Sequence, residues 1–314
     1  MRILETLFHD KYVSGNEIAS ALKISRAAVH KQVNALRKNG YVILSSKKGY
    51  MLSKKADILD ESEIKSFFDK PLSIAKKIIC LKTADSTQTQ LRRLAENSDA
   101  AEGIVLTAET QSEGYGRRKR KWSSNKGGLW FSFLLMPEMT PENASKLALV
   151  ICAAVNRFFE KNYNFDLKIK WPNDLLYKNK KLAGILVEMS AEHDRINWII
   201  AGIGINVSNI LPESLQKESV SLKEILKTGV NRSQLLAGLL SEIEISYALF
   251  KKEGFGVFAD EYNRKAAFIN EPVAIDDGKR QLKGIDLGVD ENGFLLLKTK
   301  NGVEKIVSGT LRKI

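Results

Sequence analysis

Residues 166–208 read DLKIKWPNDLLYKNKKLAGILVEMSAEHDRINWIIAGIGINVS, and their spacing decides the fold. Three or four strand-like runs follow one another here with tight connections, and Lys178-Asn179-Lys180 makes a good hairpin tip. Parallel strands need crossovers of a dozen or more residues, so strands this close must pair antiparallel. Upstream, IAKKIICLKTA (74–84) and GIVLTAETQ (103–111) read as strands, with the helix STQTQLRRLAEN (86–97) between them. GLWFSFLLMP (128–137) is a strongly apolar strand, and PENASKLALVICAAVNRFFEKNY (141–163) follows as one long helix. The expectation is a mixed α/β domain around a mostly antiparallel sheet, over residues 61–265 of an α+β multidomain chain.

Two smaller units flank it. FINEPVAIDDGKRQLKGIDLGVDENGFLLLKTKNGVEKIVSGTLRKI (268–314) alternates short strands with turns at DDGK, DENG and KNG, which predicts a small SH3-like β-barrel over 266–314. At the other end, SGNEIASALKISRAAVHKQVNALRKNGYVILSSKKGYML (14–52) reads as two helices, a tight turn and a hairpin. Ile18, Ala21 and Leu22 recur at helical spacing. Val29, Val33 and Leu36 mark one face of the second helix, with Ser25 as N-cap and Gly40 as the C′ residue. Its opposite face shows Arg26, Ala27, His30, Lys31, Asn34 and Arg37, and the hairpin tip Ser46-Lys47-Lys48-Gly49 adds two lysines. This is the pattern of a winged helix-turn-helix, whose second helix enters the major groove while the wing touches phosphate. Its expected DNA contacts are Ser25, Arg26, Ala27, His30, Lys31, Asn34, Lys47 and Lys48. SKKADILDESE (53–63) reads as a polar linker, which puts the boundary of the first module at residue 60.

Charge supports this division. Of the net +12, residues 1–55 carry eleven Lys/Arg against three Asp/Glu, while the other 259 residues share 38 against 34. A basic module on a nearly neutral body suggests nucleic acid as partner of the first unit alone. The N-terminus lacks an apolar h-region and a small-residue cleavage site, so no secretory signal is expected. The longest apolar run, LALVICAAV (147–155), is too short to span a bilayer and predicts a buried helix. Cys80 and Cys152 stand apart from one another and the histidines (His9, His30, His193) are scattered, which argues for unbridged thiols in a reducing cytoplasm and against a resident metal.

GYGRRKRKWSS (114–124) carries five consecutive basic residues, and the alternatives are a nucleic-acid patch and a site for a smaller anion. GYGRRK and GIGINV both fail the dinucleotide fingerprint, and there is no phosphate-binding loop of the Walker type. Three segments, DSTQTQ (85–90), TQSEGYGRRKRKW (110–122) and KIKWPNDLLYKNKKLAGILVE (168–188), resemble the signature regions of biotin–protein ligases. With the winged helix in front, the whole chain resembles the bifunctional biotin ligase and biotin-operon repressor family. The resemblance implies a central domain of the class II aminoacyl-tRNA-synthetase-like type and a two-step reaction. ATP and Mg²⁺ convert biotin to biotinyl-5′-AMP, and a lysine of a biotin carboxyl carrier protein then takes the biotinyl group. It also implies operator DNA as a partner and a homodimer once the adenylate is bound.

By the same resemblance, Ser86, Thr87, Gln88, Gln111, Tyr115, Gly116, Arg117 and Lys181 meet biotin, and Arg117 and Lys181 serve catalysis. Trp122, Asn173, Asp174 and Asn206 fall on the ATP side, and SNILPESLQKES (208–219) reads as a loop closing over the nucleotide. Asp174 is expected to orient Arg117 or Lys181, or to approach Mg²⁺. Ser86 and Thr87 also suit a helix N-cap, and Trp122 and Trp171 suit either a pocket wall or plain core. The chain departs from the family pattern in two places: GRGRRGR appears as GYGRRKR, and STNQ as STQT. A lipoate-type ligase and a DNA-binding sensor without turnover are the competing readings.

Overall fold

The structure is a computed structural model that describes residues 3–7, 11–38, 41–54, 57–97, 100–193, 195–278 and 280–314. His9 and Gly40 lie outside the described residues.

The first module comprises α1 (Ile3–Leu7), α2 (Gly15–Leu22), α3 (Arg26–Lys38) and the hairpin β1 (Val42–Ser46) and β2 (Gly49–Lys54). A capping box between Ser14 and Glu17 starts α2, and Lys23 in the left-handed region ends it. The Ser25 hydroxyl accepts from the Ala28 N–H at 3.1 Å and caps α3. Ile18, Val29 and Val33 are fully buried against Tyr41, Ile43 and Leu52, a core separate from the rest of the chain. Helix α1 had no counterpart in the sequence pattern, yet Ile3, Leu4 and Leu7 complete that core. Five residues are too few to display a helical period. Arg37 does not face outward: its guanidinium donates to the Ile43 carbonyl and the Ser45 hydroxyl, fastening α3 to the hairpin.

The expected polar linker is partly built into the central domain. Arg232, only 1% exposed, pairs with Asp57 at 2.9 Å and Glu109 at 2.9 Å, and donates to the carbonyls of Asp57 and Gly128. Asp60 caps α4 (Glu61–Ser66) by accepting from the N–H groups of Ser62 and Glu63.

The central domain runs β3 (Lys77–Ala84), α5 (Thr87–Ala95), β4 (Ile104–Gln111), β5 (Leu129–Leu135), α6 (Pro141–Ala144) and α7 (Leu147–Tyr163). It continues through β6 (Lys168–Lys170), β7 (Asp174–Tyr177), β8 (Lys180–Glu192), β9 (Arg195–Ile205), α8 (Leu222–Leu226), α9 (Arg232–Glu253) and α10 (Gly256–Lys265). Among the described residues these strands form one seven-stranded sheet of order β3-β4-β5-β9-β8-β7-β6. Every pairing is antiparallel except β3 with β4, which α5 joins as a crossover. Alternation along the strands gives the sheet two apolar faces. Phe131, Phe133, Ala201 and Ile203 pack with α7 and α9, while Leu106, Leu134, Trp198 and Ile200 pack with Leu91 of α5.

Two element readings are corrected. The strand expected from residue 74 starts at Lys77, because the Ile74 N–H and Ser73 hydroxyl bond the Glu244 carboxylate and hold residues 73–75 as a 3₁₀ turn. The single helix expected over 141–163 is two helices. Ser145 donates to the Glu142 carbonyl and the Lys146 N–H to Asn143, and these tightened local bonds interrupt the ladder. The apolar run 147–155 is buried inside α7 except for half-buried Ala148, and no helix among the described residues is long and apolar enough to cross a membrane.

The last unit is β10 (Pro272–Asp276), β11 (Gln281–Val289), β12 (Leu295–Thr299), β13 (Gly302–Ile306) and β14 (Thr310–Lys313). They form an antiparallel sheet of order β13-β12-β11-β10-β14. Val273, Ile275, Val289, Leu295, Leu297 and Leu311 join the main core, so the sheet is fixed to the central domain and β14 reaches the site described next.

Candidate active site

On the α5 face of the central sheet, Gly202 and Gly204 of β9 and Gly184 of β8 replace the large side chains found further along the strands. They floor a cavity of about 860 Å³. A Cβ at Gly204 would lie 2.7 Å from the Trp122 indole nitrogen, and one at Gly202 would lie 2.5 Å from Gln88 Oε1. A side chain at these positions would displace the Trp122 indole and the Gln88 amide, which pack directly on the strand backbone.

The α5 end of the cavity is a hydrogen-bonded polar cluster. Gln111 Oε1 accepts from the Thr87 N–H at 2.8 Å and the Thr87 hydroxyl at 3.1 Å, and its amide nitrogen donates to Ser124. Thr87 and Ser132 hydroxyls lie 2.8 Å apart, and Ser132 donates to Gln88 Oε1. Gln88 turns inward and donates to the Ile200 carbonyl, so its amide braces sheet and helix together. Ser86 holds the N-cap position of α5, but its side chain makes no capping bond.

At the other end stand the cations. Lys181 Nζ lies 2.7 Å from Asp174 Oδ1 and 4.9 Å from the centre of the Trp122 ring. The Lys181 backbone is held by Glu218 and Val220, which ties the 208–219 segment to β8. Arg117 donates to the Gly309 carbonyl at 3.0 Å and reaches Asn173 Oδ1 at 3.5 Å. Burial holds its guanidinium below the ordinary arginine value, Asp174 opposes that, and Arg118 and Arg120 add to it. Asn173 also donates to the Ile185 carbonyl, and Asn206 accepts from Asn209, so both asparagines stiffen the cavity rim. Trp122 and Trp171 line the cavity, each with an indole N–H that is buried without a partner among the described residues.

Tyr115 and Gly116 enter the cavity wall from the basic loop. The Tyr115 hydroxyl donates to Glu188 at 2.9 Å; burial first, and Glu188 second, raise its pKa above the ordinary tyrosine value. Sequence reasoning missed Ser132, Lys170 and Arg312, which also line the cavity. Lys170 alternates with core residue Ile169, which was a usable signal; Arg312 arrives from β14 and only the tertiary fold brings it here. Burial lowers the Lys170 pKa, Asp174 opposes this, and Lys181 and Arg312 add to it.

In the first module Ser25, Arg26, Ala27, Lys31, Lys47 and Lys48 are exposed on one helix face and the hairpin tip. His30 lies 3.2 Å from the Tyr50 hydroxyl and 3.0 Å from Asn34, which joins the helix to the wing.

The site is thus a polar-ended cavity with clustered cations, in a chain that also carries a helix-turn-helix and a β module. Comparison with known proteins makes this particular. Residues 80–206 match the Biotin/lipoate A/B protein ligase family, residues 1–51 an HTH domain and residues 268–310 the Biotin protein ligase C terminal domain. The Bifunctional ligase/repressor BirA of Bacillus subtilis is 35% identical over 96% of this chain and 94% of its own length. That of Escherichia coli is 31% identical over 99% and 96%. The biotin protein ligase of Aquifex aeolicus, solved in complex with biotin and ATP, aligns with a TM-score of 0.69 at 34% identity, covering 76% of this chain and all of the other. The chain belongs to the family of bifunctional biotin–protein ligases and biotin-operon repressors.

Proposed function

We propose that the protein activates biotin with ATP, transfers it to a lysine of a biotin carboxyl carrier protein, and represses biotin synthesis and transport genes as an adenylate-loaded homodimer. In the first step a biotin carboxylate oxygen attacks the α-phosphorus and pyrophosphate leaves. In the second, the uncharged amine of the acceptor lysine attacks the acyl carbon, an amide forms, and AMP departs. Negative charge grows on phosphoryl oxygens first and on the acyl oxygen next, and fixed cations in a partly dry cavity stabilise both.

The observation that carries this reading is the convergence of Lys181 and Arg117, from separate segments, on one glycine-floored cavity. Lys181, positioned by Asp174, supplies a point charge at the reacting carboxylate, and Arg117 presents paired donors to carboxylate and phosphate. The polar cluster of Ser86, Thr87, Gln88 and Gln111, with Tyr115 and Gly116, takes the ureido ring system; the Ser86 side chain is not consumed as a cap. Trp122, Asn173, Asp174 and Asn206 take the adenylate, and the unpartnered Trp122 indole N–H is matched to an acceptor on that ligand. Mg²⁺ would be held mainly by the nucleotide's phosphates, an arrangement that needs one or two protein carboxylates, and Asp174 and Glu218 line the cavity.

We read the boundaries at 60 and 265, supported by the separate core of the first module. The antiparallel sheet backed by α7 and α9 supports a class II synthetase-like domain, and five short antiparallel strands support an SH3-like unit. Neither Cys80 nor Cys152 is in a disulfide, which favours the cytoplasm. Lipoate would use the same chemistry, but the relatives named for biotin favour biotin. Retention of Arg117 and Lys181 disfavours a sensor without turnover. Incubation with ATP, Mg²⁺, biotin and a carrier domain should add one biotinyl group to the carrier lysine, read by mass; an unmodified carrier contradicts the reading.

A further inference from the structure

The hydrogen bonds at the polar end of the cavity run in one direction, set by the backbone. The Ile200 carbonyl only accepts, so the Gln88 amide turns its nitrogen toward it at 3.0 Å and its oxygen toward Ser132. That oxygen also only accepts, and at 3.1 Å it takes the Ser132 proton. With its proton spent, Ser132 meets the Thr87 hydroxyl at 2.8 Å as the acceptor, and Thr87 is the donor. The other acceptor for this hydroxyl among the described residues is Gln111 Oε1 at 3.1 Å, an oxygen oriented by the Thr87 N–H at 2.8 Å. With either partner, the Thr87 proton lies within the wall.

The order is protected by burial. Thr87 is 4% exposed, Gln88 3% and Ser132 0%, and hydrogen bonds shielded from water strengthen one another along such a chain. Turning the Thr87 proton into the cavity would set its oxygen against that of Ser132 at 2.8 Å, unless Ser132 also turned. Ser132 would then leave Gln88 Oε1 buried without a donor. Gly202 makes room for the arrangement, since a Cβ there would lie 2.5 Å from Gln88 Oε1 and 3.1 Å from Ser132 Oγ. Gln88 stands where the family pattern has asparagine, so in this chain the order rests on the longer amide.

We propose that Gln88 and Ser132 are positioning residues that fix Thr87 as an obligate hydrogen-bond acceptor. This end of the cavity therefore selects rings that present an N–H and rejects rings that present oxygen in its place. The proton order stands on the hydrogen bonds alone; that the ring is a cyclic urea rests on the ligase reading above. Gln88 acts through Ser132 and Thr87, with both ends of its amide engaged by the protein. A dithiolane ring carries no N–H and gains nothing from this acceptor.

Two measurements on the intact protein test this. Neutron diffraction from deuterated crystals without ligand should place the Ser132 deuterium on the line to Gln88 Oε1, and the Thr87 deuterium toward Ser132 or Gln111. A Thr87 deuterium directed into the cavity overturns the order. By calorimetry, biotin should bind at least about tenfold tighter than one of the two analogues in which oxygen replaces a single ureido N–H, the effect of one unmatched polar contact. Gln88→Met and Ser132→Ala, verified as folded by melting curves, should each lower that ratio several-fold, because Thr87 is then able to turn its proton outward. If one variant does not fold, the other decides. A general loosening of the pocket would weaken biotin and analogue alike and leave the ratio where it was. Equal binding of biotin and both analogues by the wild type, or a ratio unchanged in the folded variants, overturns the selecting role. Failure of the wild type to bind biotin instead refutes the ligase reading, while the neutron map still decides the proton order.

Discussion

Replacing Lys181 by alanine should cripple the first chemical step while leaving the protein folded. The ammonium, 29% exposed, faces an Asp174 carboxylate 18% exposed at 2.7 Å, so the pair is held at the cavity wall by charge and by β8. Its loss removes one fixed donor from the transition state, worth about 3 kcal/mol, or roughly two decades in rate. It also takes from Asp174 its nearest cation, leaving Arg117 and Lys170 as its charged neighbours, beside the proposed place of the substrate carboxylate. At an effective dielectric constant near 20, a like charge at 4 Å costs about 4 kcal/mol before those two cations offset it, so biotin binding should weaken as well. Single-turnover pyrophosphate release separates the two effects. Lys181→Ala should fall at least about a hundredfold in rate at saturating biotin and require more biotin to saturate. Adding Asp174→Asn should recover the biotin requirement but not the rate. Near-normal turnover in Lys181→Ala would refute the role given to this side chain.

Lys47→Ala with Lys48→Ala should reduce the slope of log DNA affinity against log salt by about 1.8, since each phosphate left without its lysine takes away about 0.9; an unchanged slope would take the hairpin out of the interface. Arg232→Met should lower unfolding free energy by about 3 kcal/mol, because it strands Glu109 and Asp57 around a buried position; a denaturant midpoint equal to the wild type would contradict that. Biotin with ATP should shift the protein toward a dimer in sedimentation velocity and tighten operator binding, whereas equal DNA affinity with and without both ligands would break the proposed coupling.

Much of this architecture was legible because its signals are local. Tight connections in 166–208 fixed the antiparallel pairing of β6 to β9, and capping chemistry at Ser25 marked the start of α3. Helix α1 was not legible, since its three apolar residues acquire meaning only against Val29 and Val33. The break between α6 and α7 depends on one serine hydroxyl competing for a backbone carbonyl, which no period reveals. Of the residues that line the cavity, those named from the sequence lie in contiguous motifs; Lys170 was passed over inside one of them, and Ser132 and Arg312 are brought in by the tertiary fold. Ser132 gains its place from the sheet face it shares with Gly202, and Arg312 from a sheet more than a hundred residues away in sequence. The linker looked solvated because Asp57 finds its partner 175 residues later, in Arg232.

The central claim is that the cavity activates biotin, and pyrophosphate release from ATP and Mg²⁺ tests it most directly, with biotin, with lipoate and with neither acid. The account predicts release with biotin alone. Release with lipoate and not biotin would leave the chemistry and contradict the substrate; no release with either, in folded protein that binds biotin, would contradict the enzyme and leave a ligand-sensing DNA-binding protein.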